Sequence, residues 1–215
     1  MVMDMRVDIW SDVVCPWCYL GKARFEKALA GFGGRDEVEV AYHSFELDPT
    51  WPPGQTMPIL AMLATKYQLT PAEAEAAEGQ VAGLARAEGL PFNPERPLGN
   101  TFDVHRVLQL AHDQGFQHRL LDAIYQAYFG DAADIFDPDV LGTIAATAGL
   151  DPEDVKQVLG SDDYTEQVRA DEQQAQQIGI RGVPFFVLDG RAGVSGAQST
   201  QTFTEALSSL RESGR

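Results

Sequence analysis

Polar and apolar positions alternate near the start of the chain, then repeat at helical spacing, then alternate again. Residues 6–11 place Val7 and Ile9 in phase with polar neighbours between them, the period-two pattern of a strand. After Cys15-Pro16-Trp17-Cys18 the period lengthens: Cys18, Phe25, Leu29 and Phe32 fall on one face of a helix that Gly31, Gly33 and Gly34 end. Pro16 suits the first turn of that helix, where its missing N–H is not needed. Residues 37–45 alternate once more through Val38, Val40 and Tyr42. Strand, helix, strand in that order predicts parallel strands joined by a right-handed crossover.

The pattern then changes for more than a hundred residues. Asp48-Pro49-Thr50-Trp51-Pro52-Pro53-Gly54 breaks regular structure. Beyond it, helical spacing dominates. Thr70-Pro71-Ala72-Glu73 is a capping box that opens one helix, which Gly89 closes. A second helix is expected over about 101–114. A third carries Leu120, Leu121, Ile124, Tyr125 and Tyr128 and stops at Gly130. Asp137-Pro138 and Asp151-Pro152 each open a further helix. A last one runs from about Asp163 to Ile178, stopped by Gly179. No strand-like alternation occurs between residues 55 and 180. Strand signals return in Phe185-Phe186-Val187-Leu188. Asp189-Gly190 then marks a tight hairpin into Ala192–Ser195. A terminal helix is capped near Ser199 and aligns Phe203, Leu207 and Leu210.

The order β-α-β, helices, β-β-α predicts an α/β protein. A small mixed sheet, built from residues 1–54 and 170–215, is interrupted by an all-helical domain at 55–169. The 215 residues suffice for one domain with a second inserted in it, and the 44% hydrophobic fraction supports a real core. Acidic residues outnumber basic ones, 32 to 16, giving a formal charge of −16. A surface of that sign repels nucleic acid and anionic membranes, so neither is an expected partner. The longest apolar runs are too short to span a bilayer. Met-Val-Met-Asp-Met-Arg lacks the apolar run and cleavage site of a secretory leader, and the chain reads as cytoplasmic.

Two cysteines, Cys15 and Cys18, are the candidate chemistry. In a reducing compartment a Cys-x-x-Cys pair is more often redox-active or metal-binding than a structural staple. The three-residue offset lets both sulfurs approach disulfide geometry, and the positive end of the helix dipole favours a thiolate at Cys15. Cys15 would attack a target disulfide, and Cys18, one turn inside on the apolar face, would resolve the mixed disulfide. Zinc needs four ligands, and the histidines at 43, 105, 112 and 118 offer no ligand pair beside the cysteines, so no metal is expected. Two inert buried cysteines are the plain alternative. Val183-Pro184 precedes a strand, and its spacing alone leaves the proline isomer open. His43, near the end of the second strand, is a candidate for touching the site.

Three stretches together carry a resemblance: Asp12 to Gly21, with Cys-Pro-Trp-Cys; Asn100-Thr101-Phe102-Asp103-Val104-His105-Arg106; and Ile180 to Val187, with Gly-Val-Pro. They resemble the DsbA-like branch of the thioredoxin superfamily, and within it the FrnE subgroup. The resemblance implies a thioredoxin-like fold with a large helical insertion. It also implies a cis Val183-Pro184 peptide beside the cysteines, a Val183 backbone that pairs with extended substrate, and redox tuning by Pro16 and Trp17. A second branch of the same fold resembles this chain too, the 2-hydroxychromene-2-carboxylate isomerases and kappa-class glutathione transferases. That branch typically has Ser in place of Cys15. Glutathione therefore enters as a candidate co-substrate near Asn100, Val183 and Pro184.

The leading expectation is dithiol–disulfide exchange with a protein or small-molecule substrate, without metal or organic cofactor. A glutathione-dependent isomerase or transferase and a non-catalytic binding module remain as alternatives. The sequence leaves monomer and homodimer open.

Overall fold

The computed structural model describes residues 5–213; Met1–Asp4, on which the leader reading partly rests, lie outside the described residues. In chain order the elements are β1 (Met5–Ser11), α1 (Pro16–Ala30), β2 (Val38–Ser44), β3 (Met57–Pro58), α2 (Ile59–Tyr67), α3 (Pro71–Ala87) and β4 (Pro97–Leu98). There follow α4 (Phe102–Asp113), α5 (Gln117–Tyr125), α6 (Pro138–Ala148), α7 (Pro152–Leu159), α8 (Thr165–Gln177), β5 (Phe185–Leu188), β6 (Ala192–Ser195) and α9 (Thr200–Ser213). The described chain forms two compact units. One comprises residues through Phe45 together with residues from Asp171, and the other is Glu46–Ala170.

The first unit is built on a mixed sheet in the order β2-β1-β5-β6. β1 runs parallel to β2, as strand–helix–strand requires, and antiparallel to β5; β5 and β6 form the hairpin. Asp189 and Gly190 both take left-handed backbone at the turn, with φ of 54° and 65°. That conformation is the one a tight hairpin asks of an Asp-Gly pair.

Alternation along β1 sorts its side chains onto two faces. Val7, Ile9 and, by parity, Ser11 share one face. Ile9 pairs with Phe186, whose ring lies 5.4 Å from Phe25 of α1 and 4.6 Å from Phe203 of α9. This face is an aromatic core with all three rings fully buried. Asp8 and Trp10 occupy the other face. There Trp10 packs with Ala175 of α8, Ile180, Val183 and Phe185.

His43 sits beside Trp10 in the register of β1 and β2, its ring stacked on the indole at 4.5 Å. Two carboxylates clamp it: Nε2 donates to Asp8 Oδ1 at 2.7 Å and Nδ1 donates to Asp171 Oδ1 at 2.8 Å. Asp171 also accepts from the Ser44 backbone N–H at 2.8 Å, and its carbonyl accepts from Trp10 Nε1 at 3.0 Å. A single helix residue thus ties β1 to the edge strand β2. Burial opposes the imidazolium, but its hydrogen bonds to Asp171 and Asp8 and their charges outweigh it and push His43 up to about 9. Burial would likewise raise Asp8; His43 and Arg6, which donates to it at 2.9 Å, hold it below its ordinary range.

The second unit is helical. Its start signals form as expected: Thr70 and Glu73 close a capping box, while Asp137 and Asp151 accept backbone N–H groups at the starts of α6 and α7. The two-residue strands β3 and β4 pair antiparallel in a stretch where no strand is expected. Two residues are too few to show any period. Arg96 is fully buried, paired to Glu78 at 2.8 and 3.2 Å and faced by the rings of Phe92 and Phe129 at 4.5 and 5.0 Å.

The His43 clamp has a pH signature. An unfolded imidazole titrates near 6.5 and the folded one at about 9. Its stabilisation is therefore complete below pH 6.5, declines as pH rises, and is gone above about 9. Urea unfolding at pH 6, 8 and 10 should show wild type losing on the order of 3 kcal/mol relative to His43→Gln across that window. Parallel curves for the two proteins would contradict the clamp.

Candidate active site

Cys15 is the N-cap of α1, in extended backbone (φ −80°, ψ 114°), with Pro16 occupying the first helical position. The chain reaches it through a turn in which Cys15 N–H donates to the Asp12 carbonyl at 3.2 Å. The Cys15 carbonyl then accepts from the Cys18 and Tyr19 N–H groups at 3.0 and 3.1 Å, which starts the helix. The Cys-x-x-Cys segment is thus a helix N-terminus in hydrogen-bonding terms, with Cys15 at the positive end of its dipole.

Both thiols are free. Cys18 is 1% exposed, as its place on the inner face of α1 requires. Cys15 is only 3% exposed, more covered than the picture of an open nucleophile implies. Trp17, between them, is the exposed residue of the motif at 43%. Burial pushes the Cys18 thiol well up, and hydrogen bonding to the Cys15 sulfur and its charge push the same way. The Ser11 hydroxyl and the Asp12 backbone N–H pull it down by hydrogen-bonding the sulfur.

The Val183–Pro184 peptide is cis and lies against these residues. The Cys15 thiol donates to the Val183 carbonyl at 3.7 Å. The Pro184 carbonyl accepts from Gly196 N–H at 2.8 Å, and Arg24 of α1 donates to the Ala197 carbonyl at 2.9 Å, which ties α1 to the segment after β6. A Cβ placed on Gly21 would stand 2.9 Å from Pro184 Cγ and 3.5 Å from Ala197 Cα. Gly21 is therefore what allows α1 to lie this close to the proline loop.

The structure thus brings together Cys15, Cys18, Val183 and Pro184, with Pro16 and Trp17 in the connecting turn. His43 projects from the opposite face of the sheet, and both of its ring nitrogens are held by carboxylates. Asn100 belongs to the helical unit, where its side chain donates to the Trp51 carbonyl at 2.8 Å and accepts from Phe102 N–H at 2.9 Å. Arg106, in the same sequence stretch, donates to the backbone carbonyls of Val158, Ser161 and Asp163 at the end of α7, a structural anchor. Three residues at the cysteines have no role assigned from the sequence: Ser11, and Asp12 and Gly21, which figure there only as the ends of the Cys-Pro-Trp-Cys stretch. Gly21 alone carried a signal, since an interior helical glycine costs about 1 kcal/mol and invites a reason in close packing. Among the described residues no group of three or more His, Cys, Asp or Glu side chains is arranged to hold a metal ion, and no helix is long and apolar enough to cross a membrane.

A cysteine pair opening the first helix of a small mixed sheet, faced by a cis proline ahead of a β-hairpin, defines a thioredoxin-type protein. The chain matches the DSBA-like thioredoxin domain over residues 6–208 and belongs to that family. It is 28% identical over 209 residues to YwbO, an uncharacterised protein of Bacillus subtilis (strain 168), covering 96% of this chain and 97% of that one. A probable DsbA oxidoreductase from Streptomyces coelicolor superposes with a TM-score of 0.92 at 50% identity, covering 95% of this chain and 89% of that one. The cytosolic disulfide reductase DsbM from Pseudomonas aeruginosa, solved with GSH, shares the fold at a TM-score of 0.66 and 16% identity, covering 96% and 99% of the two chains. The fold is the DsbA-like thioredoxin fold with a helical insertion.

Gly21→Ala should lower stability by ~1–2 kcal/mol in urea unfolding, overpacking against Pro184 outweighing the gain in helix propensity. Gly142→Ala, in α6 where an added Cβ meets nothing within 4 Å, should instead raise it by ~0.5–1 kcal/mol. Equal responses of the two variants would rule out the tight α1–Pro184 fit.

Proposed function

We propose that this chain is a dithiol–disulfide oxidoreductase of the FrnE subgroup, working in the cytoplasm on disulfides of proteins or small molecules. One observation carries the reading. Two unbonded thiols share the N-terminus of α1, with their sulfurs in hydrogen-bonding reach of each other and Cys15 directed at the carbonyl ahead of a cis proline.

In this reading Cys15 is the nucleophile. Its sulfur attacks one sulfur of a substrate disulfide, forming a mixed disulfide and releasing the other half as a thiolate. Cys18 then attacks the Cys15 sulfur, closing the Cys15–Cys18 disulfide and releasing the second half. Two electrons pass from the protein dithiol to the substrate; run backwards, the same steps oxidise a substrate dithiol. An extended substrate segment would pair with the Val183 backbone beside Pro184, while Pro16 and Trp17 tune the potential. Neither step calls for a metal or an organic cofactor. Glutathione suits the role of co-substrate that resets the pair, in keeping with the presence of GSH in the DsbM structure of like fold.

Insulin-disulfide reduction with glutathione as electron source separates the two cysteines. Cys15→Ser should lose activity by at least about a thousandfold, because no nucleophile remains. Cys18→Ser should stop after one event with substrate held on Cys15, visible by intact mass. Full activity in Cys15→Ser would remove the proposal.

A further inference from the structure

Cys18 must carry negative charge at one moment in either direction of exchange. It is the attacking thiolate when the protein reduces a substrate, and the leaving thiolate when a substrate thiolate opens the Cys15–Cys18 disulfide at Cys15. Cys18 is 1% exposed, so its sulfur cannot draw on water for that charge. Any donor must come from the protein.

Strand parity supplies one. Ser11 is the last residue of β1 and lies in phase with Val7 and Ile9, on the face that packs against α1. Pairing with Ser44 of β2 fixes its position. At 6% exposed it is buried beside the helix, and its hydroxyl hydrogen-bonds the Cys18 sulfur, next to the Asp12 backbone N–H. A hydroxyl can either donate or accept. Toward a sulfur gaining charge it donates, and that contact strengthens as the charge develops.

We propose that Ser11 is a further catalytic residue of this site: its hydroxyl donates to the Cys18 sulfur as that sulfur becomes anionic, and so speeds formation and opening of the Cys15–Cys18 disulfide. The assignment rests on the oxidoreductase reading. In the reducing direction a disulfide R–S–S–R′ reacts with Cys15, forming Cys15–S–R and releasing R′–S⁻. The Cys18 sulfur then bonds to the Cys15 sulfur, the Cys15–S–R bond breaks, and R–S⁻ leaves. The Cys18 thiol proton and the proton left by Cys15 end on the two released thiolates. Two electrons move from the dithiol to the substrate. Ser11 gives up no proton and acts only on the second bond exchange.

Rapid chemical quench of the reduced full-length protein with oxidised glutathione, read by intact mass, separates the two exchanges. In Ser11→Ala the first exchange should stay within about twofold of wild type, since Cys15 is untouched. The second should slow by about tenfold or more, the worth of one hydrogen bond to a charged group, so that the Cys15–glutathione adduct accumulates. Ser11→Thr, which keeps the hydroxyl, should resolve the adduct at a near wild-type rate. Ser11→Val, of the same shape without the hydroxyl, should repeat the alanine result, and this pair decides the matter should the alanine variant fail to fold. Equal resolution by Ser11→Thr and Ser11→Val overturns the assignment, as does slowing of both exchanges to the same degree in every variant. A wild-type protein that never closes the Cys15–Cys18 disulfide overturns the oxidoreductase reading and this assignment with it; a cycling wild type with an unimpaired Ser11→Val overturns the assignment alone.

Discussion

The pairing of β1 with a strand on each side imposes a strict alternation on seven residues, and both halves of the site inherit it. With β2 parallel on one edge and β5 antiparallel on the other, β1 cannot slip by one residue without exchanging its faces. The odd positions, Val7, Ile9 and Ser11, meet α1 and so lie under the cysteine helix. Of the even positions, Asp8 holds His43, and Trp10 meets α8 and the Ile180–Val183 segment and so supports the loop that holds the cis proline. A slip would remove the apolar floor of α1 and the clamp of His43 together. Register here fixes the position of the chemistry as well as the core.

Between these faces the protein sets two kinds of buried charge against each other. On the α8 side an imidazolium is stabilised by two carboxylates that cross three elements of structure. On the α1 side Cys18 is held protonated by burial and by its neighbour Cys15, with Ser11 and Asp12 working against that. The first arrangement is satisfied at rest and gives rigidity. The second is satisfied only when charge moves between the sulfurs, which is the condition expected of groups that react. Gly21 completes the arrangement sterically, because without its missing Cβ the proline loop could not meet the helix that carries both thiols.

Much of this was legible in the sequence because it is local. The alternation of residues 6–11, the Pro16 helix start, the Thr70–Glu73 capping box and the Asp189-Gly190 turn each contain their cause within a few residues, and each forms as read. The Cys-x-x-Cys pair was legible for the same reason. The His43 clamp was not, since its carboxylates lie 35 and 128 residues away and no spacing rule joins them. Ser11 looked like the polar end of a strand, and only the packing of α1 on that face gives its hydroxyl a partner. Arg106 and Asn100 stood out as a motif, yet they serve as anchors within the helical unit, to backbone carbonyls and, for Arg106, to Asp103 as well. The strands β3 and β4, two residues each, were too short for any pattern to reveal.

The mechanism turns on one property, that Cys15 and Cys18 exchange reversibly between dithiol and disulfide. Equilibrating the full-length protein across a series of reduced and oxidised glutathione ratios, then counting alkylated thiols by mass, measures it directly. This mechanism requires a single two-electron transition between a form with two free thiols and one with an intramolecular disulfide, whose midpoint also gives the direction of electron flow at a given poise, since about 30 mV corresponds to 1.4 kcal/mol for this couple. A protein that keeps both thiols at every ratio, or carries only a glutathione adduct on Cys15, would contradict it.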